Sequence, residues 1–278
     1  MSYSEFIKDN PKLLELNPIN FPQDIFISTI TLTCKIPVIF DTMLIASKIQ
    51  LNLDFIQYVS YGNNGEICRT LININKRKHR KTKTKKKNFY NQVTMIIKVN
   101  DNDRISVKLF KNGSIQITGC KLISSIIWSL DKLFKILVCP IIDENTKKIY
   151  FVTPYIFLDI KNIYDFKIAL INSNFDIGFK INREHLYECL HNDKYDCTFD
   201  SARYAGVIIK YVNSINDIQK KVIVDKKSKY NKKQVTSIFV FDKGSIIITG
   251  SRCYRNTIES YKFINTYLIN NYEKICIT

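Results

Sequence analysis

The chain repeats itself. Residues 110–121 read FKNGSIQITGCK and residues 241–252 read FDKGSIIITGSR, an offset of 131 in a chain of 278 residues. Phe, Gly, Ser, Ile, Ile, Thr and Gly match in place, and Lys121 corresponds to the basic Arg252. Both copies alternate apolar and polar residues on either side of a tight turn, Asn112-Gly113 in one and Lys243-Gly244 in the other. That is the pattern of a β-hairpin with suitable turn chemistry. Internal duplication is therefore the first constraint on the fold.

The flanks repeat as well. After the first hairpin, Leu122, Ile126, Leu130, Leu133, Phe134 and Leu137 fall at helical spacing; after the second, Tyr254, Ile258, Tyr261, Ile264, Leu268 and Tyr272 do likewise. Both stripes are expected to be the core-facing side of a helix. Upstream, residues 25–33 and 166–175 are strand-like. Asp41 can cap a helix over residues 43–48, and Asn182 one over 184–190. Residues 69–72 and 205–210 are strand-like again. Each half thus runs strand, helix, several antiparallel strands, long helix, which argues for an α+β fold rather than an alternating parallel sheet. The expected organisation is a tail over 1–20 and a first repeat over 21–139 with a basic insertion at 76–88. A linker over 140–162 holding Pro140 and Pro154 follows, then a second repeat over 163–278 with a basic insertion at 213–233.

With 45% hydrophobic residues, 8 Gly and 6 Pro, the chain has the apolar mass for a real core, which excludes a disordered or collagen-like chain. No apolar run reaches the ~18 to 20 residues needed to span a bilayer; Asp41 and Asp131 interrupt the best candidates. Glu5, Lys8 and Asp9 stand where a signal peptide would be apolar. The eight cysteines form no C-x-x-C pair, and several lie in apolar runs, as Cys139 does. A soluble intracellular protein with buried, reduced thiols is expected.

The net charge of +17 is concentrated. Residues 76–87 read KRKHRKTKTKKK, without an acid, and Lys220, Lys221, Lys226, Lys227, Lys229, Lys232 and Lys233 form a second cluster offset only by Asp225. Such clusters suit a polyanion such as nucleic acid. The plainer alternatives are solvated loops or a localisation signal. Chemistry of other kinds has little to stand on. His185, Cys189, His191 and Cys197 are close in sequence, but zinc usually takes its four ligands from paired close spacings, which are missing. There is no Walker loop, no G-x-S-x-G and no H-E-x-x-H. The expectation is a non-enzyme with no cofactor, no metal and no small-molecule substrate.

The two F-x-x-G-S-I-x-I-T-G boxes, STITLTCKI at 28–36, DFKIALINSNFDIGFKINREHL at 165–186 and RYAGVIIKY at 203–211 together resemble the TATA-box-binding protein family. The likeness is to divergent forms such as those of nucleocytoplasmic large DNA viruses. It covers most of the chain apart from the basic insertions and the first 20 residues. The resemblance implies two pseudo-symmetric repeats forming a saddle, with a curved antiparallel sheet below and helices on top. It also implies that the sheet meets the DNA minor groove, where phenylalanines wedge between base steps and bend the duplex, a property known of the family.

Carried over by position, Phe110 and Phe241 are wedges whose plainer alternative is ordinary packing, and Tyr204 stands where the second repeat's other phenylalanine belongs. In the first repeat the matching strand is open. Starting it at Arg69 puts Cys68 in the wedge position, whereas starting it at Gln92 puts Phe89 or Tyr90 nearby. The resemblance places Ile25, Ile27, Gln116, Thr118, Leu170, Asn172, Ile247 and Thr249 on the groove face, and Lys98, Lys121, Lys210 and Arg252 at or near phosphate positions. Ile25 and Leu170 stand where the family has asparagines, with Asn172 two residues on, and Gln116 replaces an apolar residue.

The implied function is a general transcription initiation factor that binds and bends AT-rich promoter DNA. Its partners would be double-stranded DNA, an initiation factor and RNA polymerase, not a membrane. Alternatives are an interaction scaffold that does not bend DNA, or non-specific DNA binding through the basic loops. The implied setting is a host's cytoplasmic viral factory or nucleus, or the virion.

Overall fold

Alternation of apolar and polar residues gives each strand one buried and one open face, and helix-spaced apolar stripes supply what covers the buried face. A computed structural model describes residues 21–62, 66–73, 91–142, 146–154, 158–213 and 235–277. Both basic runs, the 1–20 segment, Phe89 and Tyr90 lie outside these. The chain divides into two compact units. Among the described residues one comprises 31–167, and the other 21–30 with 168–277.

The first unit contains the end of β1 (Phe26–Lys35), α1 (Thr42–Lys48), β2 (Ile56–Tyr61), β3 (Ile67–Thr70), β4 (Gln92–Lys98), β5 (Arg104–Phe110), β6 (Ser114–Cys120) and α2 (Ile123–Val138). Two short strands follow, β7 (Ile141–Ile142) and β8 (Ile149–Tyr150). The strands lie in the order β3-β2-β4-β5-β6-β1. Val93, Met95, Ile97, Ile105, Val107, Leu109, Ile115 and Ile117 are buried, as are Ile126, Leu130, Leu133, Phe134 and Leu137 of α2. Each such side chain contributes about 1.5–3 kcal/mol. Asp41 caps α1, its carboxylate accepting from Leu44 N at 2.9 Å. The other end is closed by Arg69 of β3, whose Nε and Nη2 donate to the carbonyls of Ala46 (2.9 Å) and Ile49 (2.6 Å). These carbonyls have no intrahelical partner, so the guanidinium ties β3 to the helix.

The second unit contains β9 (Tyr164–Asp176) from Ile168 onward, α3 (Arg183–Asn192), β10 (Cys197–Thr198), β11 (Val207–Val212), β12 (Val235–Val240), β13 (Ser245–Ser251), α4 (Tyr254–Asn270) and α5 (Tyr272–Ile275). Its strands lie in the order β10-β11-β12-β13-β9. Ile209, Ile238, Val240, Ile246, Ile248 and Phe175 share one core with Leu186, Leu190, Tyr261, Ile264 and Leu268 of the helices. Asn182 caps α3 by accepting from Glu184 N and His185 N.

Residues 21–30 pack with the second unit: Phe21 meets Tyr254 edge-on at 5.5 Å, and Asp24 accepts from the Tyr261 hydroxyl. Two expectations change. Ile25 is 4% exposed in that unit's core, and so is not a groove-face residue. Leu122 and Tyr272 are exposed, because α2 starts after the first and α4 ends before the second.

The two candidate second strands of the first repeat both exist, and pairing separates them. β4 pairs with β5 through Val93↔Leu109, just as β11 pairs with β12 through Val207↔Val240. β4 is therefore the counterpart of β11, and β3 is an added strand on the outer edge of β2.

Candidate nucleic-acid interface

In each unit the strand face away from the helices carries three cross-strand rows in matching registers. In the first unit the rows are Ile96↔Ser106↔Thr118, Thr94↔Lys108↔Gln116, and Gln92↔Phe110. In the second they are Lys210↔Ser237↔Thr249, Ile208↔Phe239↔Ile247, and, at the strand ends, Phe241 with Ser245, joined by the Phe241 N–H to the Ser245 carbonyl. All of these alternate with buried residues, so they share the open face by strand periodicity.

The end of the second unit's face is aromatic. Tyr204, Phe239 and Phe241 cluster, with Tyr204 5.5 Å from Phe239 and 5.9 Å from Phe241. Gly206 makes room for them: a Cβ there would lie 3.1 Å from Phe241 Cε1 and 3.2 Å from Tyr204 Cε1. Tyr204 is 41% exposed, and Phe241 is half-buried. Phe110 is half-buried at the matching end of β5. Phe239 belongs to this face although only Phe241 stood out in the sequence. Their two-residue spacing around the buried Val240 was the available signal.

Along the polar row, Thr249 donates to Asn172 Oδ1, and Lys210 Nζ donates to Ser237 Oγ at 2.7 Å. Thr31 meets Thr118 hydroxyl to hydroxyl at 3.5 Å in the first unit. Leu170 and Asn172 alternate with the buried Ile171 and Ser173, which puts both on the open face of β9. Ile27 is half-buried in the part of β1 that belongs to the second unit. Lys121 and Arg252 are exposed just beyond β6 and β13. Lys98 and Lys121 each hold an aspartate of the β4–β5 turn, at 2.7 Å (Asp101) and 3.5 Å (Asp103). Beside Ile96, Ser106 and Thr118 the face is recessed by about 600 Å³, walled by Ile72 and Asn73 and by Arg104. Arg104 is held in place: its Nε donates to Gln57 Oε1 at 2.7 Å, and the buried Gln57 donates in turn to the Leu53 carbonyl.

His185, Cys189 and His191 lie on α3 and Cys197 on β10. A ring nitrogen of His185 lies 3.2 Å from the Lys274 carbonyl, and among the described residues no cluster of three or more metal-ligating side chains occurs. No helix among them is long and apolar enough to cross a membrane.

No known family profile matches the chain. A TATA-box-binding protein-like protein of Acanthamoeba polyphaga mimivirus is 35% identical, over 91% of this chain and 67% of that one. The chain belongs to the TATA-box-binding-protein-like family. A solved structure of Methanococcus jannaschii TBP aligns with a TM-score of 0.50 at 12% identity, covering 90% of this chain and 99% of that one. That likeness shows the α+β fold of this TATA-box-binding-protein-like chain.

Proposed function

We propose that this protein is a transcription initiation factor that grips AT-rich promoter DNA by its minor groove and bends it. The observation that carries this reading is the repeated placement of an aromatic ring, Phe110 and Phe241, at the same register position of each open face. Tyr204 and Phe239 reinforce the second.

Magnitudes limit what the wedges do. Burying about 200 Å² of ring surface yields about 5 kcal/mol, but these rings are already half-buried, so roughly half of that is left. The remainder is comparable to the few kcal/mol needed to unstack one base step. The wedges therefore set the bend at little net cost. Affinity comes from the rest of the face and from cations such as Lys210 and Arg252 near the phosphates. Promoter DNA, an initiation factor and RNA polymerase are the partners this reading calls for, inside a cell and without catalysis.

The test is an end-to-end fluorescence distance assay on an AT-rich duplex and a GC-rich control across a salt series. Shortening of the AT-rich duplex alone, lost in Phe110→Ala/Phe241→Ala, is the expected result. Salt-steep binding to both duplexes without shortening would sink it, leaving attachment through the basic runs or a scaffold role.

A further inference from the structure

The middle rows of the two open faces occupy the same positions but carry opposite chemistry. On β4, β5 and β6 the row is Thr94, Lys108 and Gln116. On β11, β12 and β13 it is Ile208, Phe239 and Ile247. Gln116 and Ile247 stand at the same place in the two matching boxes, and the β4–β5 and β11–β12 registers align the other two pairs, so the contrast falls at matched backbone positions. Directly opposed residues on one sheet face stand about 5 Å apart at Cβ. Lys108 and Gln116 therefore present an ammonium and a carboxamide side by side, where the second unit presents a ring and a branched alkyl group.

The minor groove makes this difference legible. An A·T pair shows only acceptors there, adenine N3 and thymine O2, whereas a G·C pair adds the guanine N2 amino donor. Pressed against Ile208, Phe239 and Ile247, that amino group loses its water and meets no acceptor, the costly case for a polar group. Against Gln116 it meets Oε1, while Gln116 Nε2 and Lys108 Nζ can donate to the acceptors that every base pair shows.

We infer that the protein reads its site unequally: the second unit enforces A·T pairs, the first tolerates G·C, and Gln116 is the discriminating residue. This rests on the minor-groove reading above and adds the base preference of each half. The preferred sequence is then asymmetric, with one strict and one relaxed half.

A single G·C pair stepped through an all-A·T duplex tests it, with affinity measured at each position at fixed salt. For the unsubstituted chain, the loss should be about tenfold or more per substitution in one half and under about threefold in the other. Gln116→Val should extend the large losses into the tolerant half, and Ile247→Gln should relax the strict one. Both substitutions are on the open face, and unchanged melting temperatures establish folding. Equal losses in both halves, or a scan that neither substitution alters, overturns the inference while leaving DNA bending intact. If the unsubstituted chain neither prefers nor shortens AT-rich DNA, the function proposed above fails and the inference falls with it.

Discussion

Lys98 Nζ lies 2.7 Å from Asp101 Oδ1, so a cation expected to meet DNA holds a carboxylate of the chain itself. Lys121 does the same with Asp103 at 3.5 Å. In the second unit the Lys210 ammonium donates to a hydroxyl, Ser237 Oγ, rather than to a carboxylate. The Lys98 ammonium holds the Asp101 carboxyl below the usual carboxylate range. For Asp103 the Asn100 amide does most of this and Lys121 adds to it. Because both values are lowered, the pairs are intact above the ordinary carboxylate range and are lost only as pH falls through the lowered values. Asp101→Asn/Asp103→Asn should therefore tighten duplex binding severalfold near neutral pH and at low salt. It should also steepen the dependence of log K on log[salt] by about 0.9 per freed lysine. Asp131→Asn, which frees Lys135 on α2, is the control; because it removes one carboxylate rather than two, half the effect from it would mean that net charge alone is responsible.

Gly113 and Gly244 have φ of +80° and +86°. A Cβ on Gly113 would collide with the Ile36 carbonyl oxygen, and one on Gly244 with that of Phe179. Ala at either place should cost about 3 kcal/mol or more, since left-handed strain and a backbone clash act together. Urea unfolding gives the value. A loss under about 1 kcal/mol would show that the hairpin shifts freely.

Asn213 is 2% exposed. Its Nδ2 donates to the Asn256 carbonyl (3.0 Å) and to Ser260 Oγ (3.3 Å), and its Oδ1 accepts from Thr236 Oγ1 (2.6 Å). Asn213→Leu removes all three bonds at once and leaves Thr236 Oγ1 only Ser251 Oγ, at 3.5 Å; it should destabilise the fold by about 3 kcal/mol, whereas Thr236→Val should cost about 1 kcal/mol. Similar losses for both would show that the asparagine is not the hub.

Burial pushes the Cys34 thiol up to about 12 and raises that of Cys120. Cys68 is exposed, and so is Cys139, whose apolar run predicts burial but which stands at the C-terminal cap of α2. Since the thiolate is the reactive form, an alkylating reagent at mildly alkaline pH should mark Cys68 and Cys139 in the folded chain. Cys34 and Cys120 should be marked only in denaturant, as read by mass spectrometry. Rapid marking of Cys34 would contradict its place in the core.

What was legible in the sequence was local. The hairpins follow from alternation and turn glycines, and the helix starts at Thr42 and Arg183 follow from the side chains of Asp41 and Asn182. Phe239 was equally legible but is less conspicuous than the repeated phenylalanines. Ile25 lies one residue before β1 begins, so the groove-face position that the family resemblance gives it does not carry over, and its side chain enters the second unit's core. The ion pairs of Lys98 and Lys121 depend on how the β4–β5 turn folds back, although the three-residue spacing of Lys98 and Asp101 hinted at one of them.

The sequence by itself determined the duplicated strand–helix–strands–helix unit, because hydrogen bonding and side-chain periodicity within a hairpin or helix are properties of neighbouring residues. Only the tertiary structure decided that β4 rather than β3 is the counterpart of β11, and that residues 21–30 join the second unit's core. It likewise decided that Thr94, Lys108 and Gln116 line up across three strands opposite in character to Ile208, Phe239 and Ile247. Strand partners are chosen by non-local burial and register. A lone strand pattern such as that of β3 or β4 fits several neighbours equally until the core selects one.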